Sequence, residues 1–298
     1  MRHWRKFIPF LVSAVLLAWV FHSVSPRAVY HAALQLPWGW LMSATVAMVL
    51  GLYLWDGLCL RVVYGGGREP LSYRSAMKVR GLSYLISALH CQLGQAMVVW
   101  NMARLQRESL ISMASRGLLL FYHDAIVLMS VGFLGACFSD SPHAPRILIF
   151  CGSVLVATAA IAVTVTLLPP SQRERLQKTK WGAWLSVWTW RRSVHLLVLR
   201  AGYYAILGVY AVAALQICRV FESPATVFSA IPLVVVTDSL PSVSGLGTRE
   251  TALYVLLGSD HREVLVAMAL FWSTGMIFTR LAIGLIHAAL QRGLLVSE

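Results

Sequence analysis

Charge is scarce in this chain, and acidic charge scarcest: 12 aspartates and glutamates stand against 25 lysines and arginines in 298 residues, and charged residues of both signs make up 12%. So little charge cannot cover the surface of a soluble domain of this size, which ordinarily carries about 25%. The five cysteines, Cys59, Cys91, Cys137, Cys151 and Cys218, show no C-x-x-C pair and no metal-ligand spacing. That excludes a zinc module or a disulfide framework, and they read as reduced residues packed in helices. No G-x-x-x-x-G-K-S/T run occurs, so no bound nucleotide drives the protein. His123-Asp124 has no serine elbow or second histidine to work with, and "SGLG" is neither a nucleophile elbow nor a metal site. An enzyme is therefore not expected, and no cofactor is implied.

What is present is apolar. Hydrophobic residues make up 58% of the chain, and runs such as "ILIFCGSVLVATAAIAVTVTLL" exceed the ~18 residues that read as a membrane helix. The expectation is an all-α polytopic membrane protein with no separate soluble domain. Spans are placed at Phe7–Val24, Trp38–Leu60, Gly117–Phe138, Ile147–Leu168, Val194–Cys218 and Val264–Leu290. The N-terminal "MRHWRK" and its apolar run look like a signal peptide, but "PRAVYHA" offers a poor cleavage site, so the segment is taken as an uncleaved first helix. Two further stretches, Met77–Met102 and Ala225–Leu257, are broken by polar residues, Gly and Pro, and read as re-entrant segments.

The basic residues test this count, because cytoplasmic loops carry the excess of Lys and Arg. Six spans and two re-entrant segments put the N-terminus, Arg61–Arg80, Arg104, Arg107, the Arg173–Arg192 segment and Arg292 on one side. "SDSPHAPR" and "RVFESP" then lie on the other. The net charge of +13 thus sits between spans, facing anionic headgroups, and gives no ground for nucleic-acid binding. Both termini are expected in the cytoplasm of a bacterial cell, with the protein in the inner membrane.

Sliding the chain on itself by about 151 residues lays Gly94 on Gly245 and Leu89 on Leu240, and brings three spans of each half near one another. This predicts a single transmembrane domain over 1–298 made of two halves, 1–140 and 141–298. With three spans in each half, the second copy is inverted, and inverted repeats commonly meet at a midplane substrate site. Between the halves, "KTKWGAWLSVWTWRR" (178–192) places Trp181, Trp184, Leu185 and Trp188 on one helical face, expected to lie among the headgroups.

The chemistry-bearing residues concentrate around "VVVTDSLPSVSGLGTRET". Unpaired backbone is tolerated at membrane depth only inside protein or beside a wet cavity. Gly245 and Gly247 permit positive φ and close approach to a ligand, and a helix opening at "GLGTRE" would present free N–H groups to an anion. Arg249 supplies a planar fork for phosphate oxygens, and Glu250 sits at the favourable end of the helix dipole, able to hold Arg249 or another cation. The alternative is an outer loop with both side chains solvated. Arg280, central in the last span, either faces an interior partner such as Asp124 or Asp238, or snorkels to the interface. Asp56 and Arg200 form a second candidate pair. Asp124, Asp238 and His90 are candidates for proton or ion coupling, with a merely packed histidine as the alternative at His90.

"LPSVSGLGTRETALYVLLG" resembles the signature of the transmembrane domain of lysylphosphatidylglycerol synthetase/flippases, through Pro241, Gly245, Leu246, Gly247, Arg249 and Glu250. Where that family has a Pro-Gly and an acidic residue in the first half, this chain has His90-Cys91 and Gln95. Phe121 stands where an arginine often sits. The resemblance implies a lipid-translocating fold without the aminoacyl-transferase domain. Its substrate would be an anionic or modified phospholipid, or a polyprenyl or hopanoid lipid, bound through Arg249, Glu250, Gly245, Gly247, Arg280 and Asp238. The second reading is a non-transporting protein that presents such a lipid to an enzyme of envelope biosynthesis.

Overall fold

The computed structural model describes residues 8–65, 70–88, 90–179, 182, 184–185, 188–237, 242, 245–257 and 261–296. Among them every regular element is helical. In chain order these are α1 (Ile8–Ser23), α2 (Pro26–Gln35), α3 (Trp38–Tyr64), α4 (Tyr73–Ser87), α5 (Cys91–Leu105) and α6 (Leu110–Cys137). They are followed by α7 (Ala144–Leu167), α8 (Pro170–Gln177), α9 (Trp190–Ile217), α10 (Pro224–Thr237), α11 (Thr248–Leu257) and α12 (Arg262–Val296).

Five helices, α3, α6, α7, α9 and α12, are long and apolar enough to cross a membrane. Their outward faces remain apolar: on α7, Ile149, Val156 and Leu167 are 74%, 71% and 75% exposed. Surfaces of that kind are stable against lipid and not against water. The expected sixth span differs. α1 has only 16 residues, and the chain turns by 89° into α2, so a sixth crossing exists only if the bent pair is counted as one. The cause is local: Pro26 opens α2, and proline holds the residue before it, Ser25, in extended backbone (ψ 123°).

The two irregular stretches fold as helical hairpins, α4–α5 and α10–α11. α4 and α5 have 15 residues each, about 22 Å of helix, against the ~30 Å of a bilayer core. α10 and α11 are shorter still, with 14 and 10 residues. Side-chain caps set the starts of several helices. Ser72 accepts the Ser75 N–H (3.1 Å), Ser109 that of Ser112 (3.2 Å), and Thr189 that of Arg192 (3.4 Å).

Element starts recur at a near-constant offset. α3 and α9 begin at 38 and 190, α4 and α10 at 73 and 224, and α6 and α12 at 110 and 262, offsets of 152, 151 and 152. The packing crosses between these sets: α4 lies on α12, α10 lies on α6, and α3 lies along α9. The α6–α10 contact depends on glycine. A Cβ at Gly135 would stand 2.5 Å from the Ser229 backbone nitrogen, and one at Gly132 would stand 2.2 Å from the Pro232 ring. Small residues at such crossings let helix backbones approach closely enough to pack without help from water.

The main apolar core runs through α3, α6, α9, α10, α11 and α12. A second core around Tyr64, Val79, Met102 and Leu196 carries Trp184 and Trp188 against it. These two tryptophans, expected among headgroups, are half-buried and 5.1 Å apart, with Trp188 against Tyr122, while Trp190 is exposed. Trp181 lies outside the described residues.

Candidate functional site

Four long-range partners meet inside the bundle. Asp56 on α3 is 3% exposed and lies between two guanidinium groups: Arg80 Nε of α4 at 2.5 Å and Arg200 Nη1 of α9 at 3.1 Å. Arg200 Nε also donates to Asp124 Oδ1 on α6, which accepts a second hydrogen bond from the Tyr204 hydroxyl at 3.1 Å. Stacking extends the cluster, with Arg200 4.4 Å from the Tyr203 ring centre and Arg80 5.1 Å from that of Tyr84. Buried charges of this kind persist only when paired and hydrogen-bonded. The two arginines and two aspartates balance.

The glycine turn before α11 has the expected backbone, with φ of 83° at Gly245 and 89° at Gly247. Its surroundings differ from the expectation. Gly247 packs against α1, where a Cβ would stand 2.9 Å from the Ser13 carbonyl, so the close approach is to protein. The N–H expected to be free is taken: Gly247 donates to Glu250 Oε2 at 2.6 Å, while Glu250 Oε1 accepts from the Ser273 hydroxyl at 2.7 Å. This is the carboxylate half of a capping box, and the anion at the start of α11 is the chain's own Glu250. Arg249 is 1% exposed, bonds Ser273 Oγ through Nη1 at 3.2 Å and lies 5.0 Å from the Trp272 ring centre. Ser273 therefore joins Arg249 to Glu250.

Members of both groups border one cavity of about 270 Å³ between the hairpins and the long helices. Arg200, Arg249, Arg280 and Asp124 line it, together with Gln92 and Gln95 from the first turns of α5. At its rim Gln92 is exposed, and so are the apolar side chains Phe121 (48%) and Val236 (39%). Arg280 lies 5.7 Å from the Tyr84 ring centre and has no carboxylate within 4 Å among the described residues. Counting Arg80, Arg200, Arg249 and Arg280 against Asp56, Asp124 and Glu250 leaves one positive charge in excess among the described residues. A separate void of about 20 Å³, lined only by apolar side chains, shares Leu207, Val234 and Trp272 with the cavity and reaches Leu257. Leu257 in turn borders a polar recess of about 490 Å³ with Asp140, His143, Glu222 and Arg262 in its wall.

Of the residues named from sequence, the structure brings Arg249, Arg280 and Asp124 to the same cavity and joins Arg200 to Asp56. Asp124 does not pair with Arg280; Arg200 holds it. Gly245 and Gly247 shape the turn without lining the cavity, and Glu250 sits behind Arg249. His90 caps α5, its Nδ1 accepting the Gln92 N–H at 3.2 Å, and lies outside the cavity wall. Asp238 lies outside the described residues. Sequence reading passed over Arg80, Tyr204, Trp272 and Ser273. Arg80 had a signal: with Gly81, Ser83, Tyr84 and Ser87 it shares the buried face of α4, a small-residue stripe unlike a solvated loop.

Fold and site together define a class: an all-helical chain, among the described residues, with the marks of a membrane-embedded protein and a charged cavity at its centre. Set against known proteins, the chain matches no family model, no curated protein and no solved structure.

Proposed function

We propose that this protein translocates an amphiphile with an anionic, phosphate-type headgroup between the leaflets of a bacterial inner membrane, in the manner of a flippase. The observation that carries the reading is the contrast within one cavity. Three arginines and two glutamines line it, and exposed apolar side chains flank its mouth at Phe121 and Val236. A headgroup can enter such a cavity while acyl or prenyl chains stay in lipid, and guanidinium forks suit phosphate oxygens. The apolar void and the polar recess share Leu257 and would offer a continuation toward the loops that hold Asp140 and Glu222. Those are the loops poor in Lys and Arg, which the charge rule assigns to the outer side. The constant element offset and the crossed hairpins support an inverted repeat with re-entrant hairpins, the architecture that meets at a midplane site in many transporters. The likeness of "GLGTRE" to the lipid-flippase signature points the same way.

The test is leaflet exchange of labelled phosphatidylglycerol in liposomes, with Arg280→Gln and Arg249→Ala compared to the unaltered protein. Exchange that falls at least about tenfold in both variants, from protein still monodisperse, supports the reading; a factor of ten corresponds to roughly 1.4 kcal/mol of lost headgroup binding. Lipid binding without exchange would instead assign the protein to presenting a lipid to a partner enzyme.

A further inference from the structure

Arg200 divides itself between two carboxylates that are not equivalent. Asp56 is enclosed, with its side chain 5% exposed, and Arg80 holds it independently. Asp124 is 17% exposed at the cavity wall, has no arginine but Arg200 among the described residues, and takes both of its hydrogen bonds on Oδ1. Its Oδ2 has no hydrogen bond to any described residue. An anion entering the cavity meets Arg200 beside Arg249 and Arg280. Arg200 can turn toward it and still keep Asp56. Asp124 cannot find a replacement, because only the Tyr204 hydroxyl would remain.

Among the described residues, the groups around Asp124 leave it no other countercharge. From α3 come Asp56 and Cys59, and from α5 Cys91, Gln92 and Gln95. From α9 come Arg200, Tyr203 and Tyr204, and from α10 only Val234, Val235 and Val236. Arg80 of α4 is engaged with Asp56. Across the cavity lie Arg249, bonded to Ser273, and Arg280, the residues the same anion would engage. On α7 the Thr158 carbonyl accepts from the Tyr122 hydroxyl of α6, and on α6 itself His123 Nδ1 is bonded to the Leu119 carbonyl at 2.7 Å.

We infer that Asp124 is a proton-coupling site: an incoming phosphodiester anion displaces its carboxylate from Arg200, and the carboxylate takes up one proton from water in exchange. No covalent bond of the ligand changes. The carboxylate and a hydronium ion become a carboxylic acid and water, and the acid returns its proton when the anion leaves and Arg200 swings back. A bare carboxylate in a low-dielectric site is costly, and protonation removes that cost. Anion and proton load together, so the occupied site carries the same net charge as the empty one. Transport of a monoanionic headgroup then responds to a pH gradient and is indifferent to membrane potential. This rests on the headgroup reading above.

Isothermal titration of the purified protein near pH 7, repeated in buffers of different ionisation enthalpy, tests it. The probes are glycerophosphoglycerol, a phosphodiester that stays monoanionic in this range, and dihexanoyl phosphatidylglycerol. They separate headgroup recognition from the contribution of the chains. The expected result is uptake of about one proton per bound probe, by linkage. Asp124→Asn should still bind, with uptake abolished, and Asp124→Glu should restore it. Binding to the unaltered protein without proton uptake overturns the coupling and leaves the headgroup site standing. Uptake that persists in Asp124→Asn overturns the assignment to Asp124. Failure to bind either probe overturns the headgroup reading and this inference together.

Discussion

Replacing Asp56 by alanine should be among the most damaging single changes in this protein. The carboxylate is 3% exposed and lies within 2.5 Å of Arg80 and 3.1 Å of Arg200. Without it, Arg80 has no carboxylate within 4 Å among the described residues, while Arg200 keeps only Asp124. Removing one partner of a buried ion pair costs about 3–5 kcal/mol, because a desolvated charge is left behind. At roughly 2–4 °C per kcal/mol, the apparent Tm should fall by about 6–20 °C. The change can be followed by tryptophan fluorescence on heating the detergent-solubilised protein. The double replacement Asp56→Leu with Arg80→Met removes both charges at similar volume and leaves Arg200 with Asp124, so it should recover to within about 1 kcal/mol of the unaltered chain. The reasoning fails if Asp56→Ala melts within a degree or two of the unaltered protein, or if the double variant falls as far as the single.

Two further outcomes are expected. Gly132→Ala places a Cβ 2.2 Å from the Pro232 ring and 3.0 Å from Cys151 Sγ. It should destabilise by about 1–3 kcal/mol, with relief from Pro232→Ala in the same chain, on the same melts. In a Cys137→Ser background, a small water-soluble maleimide should label Cys91, which lines the cavity, ahead of the fully buried Cys59 and Cys151. Dihexanoyl phosphatidylglycerol should slow that labelling. Labelling of Cys91 no faster than of Cys151, read by mass spectrometry, would mean the cavity is closed to water.

The long helices were legible because burial in lipid needs a run of apolar residues, which hydropathy measures directly. The hairpins were legible through their interruptions, at His90–Gln95 and Pro241–Gly247. The bend after α1 is a local event set by Ser25-Pro26, just past the expected first span Phe7–Val24, and the short α2 beyond it was not anticipated. Glu250 is the instructive case. A cap position followed three residues later by Glu is a local rule, and Gly247 to Glu250 obeys it. The rule anticipated the carboxylate's place better than the search for an external anion did. The ion pairs were legible only in part: Asp56–Arg200 was a candidate on charge, whereas Asp124–Arg200 and Asp56–Arg80 were not named. Asp124 and Arg200 are 76 residues apart, and packing brings them together where nothing local in the sequence does. Asp124 had been matched to Arg280 on charge alone, and the packing of α6 against α9 decided otherwise.

The crossed hairpins bear on how the chain can be made. Gly81 of α4 fits against the His287 ring and Gly284 of α12 fits against Leu85, a reciprocal contact between elements separated by about 175 residues, from Ser87 to Arg262. A ribosome delivers α4 long before α12 exists. Until α12 emerges, the grooved face of α4 must be covered by lipid or by a chaperone of the insertion machinery. Docking of α12 therefore closes the first half and the second together. A chain truncated before α12 would lose the ordered state of α4 as well as α12 itself.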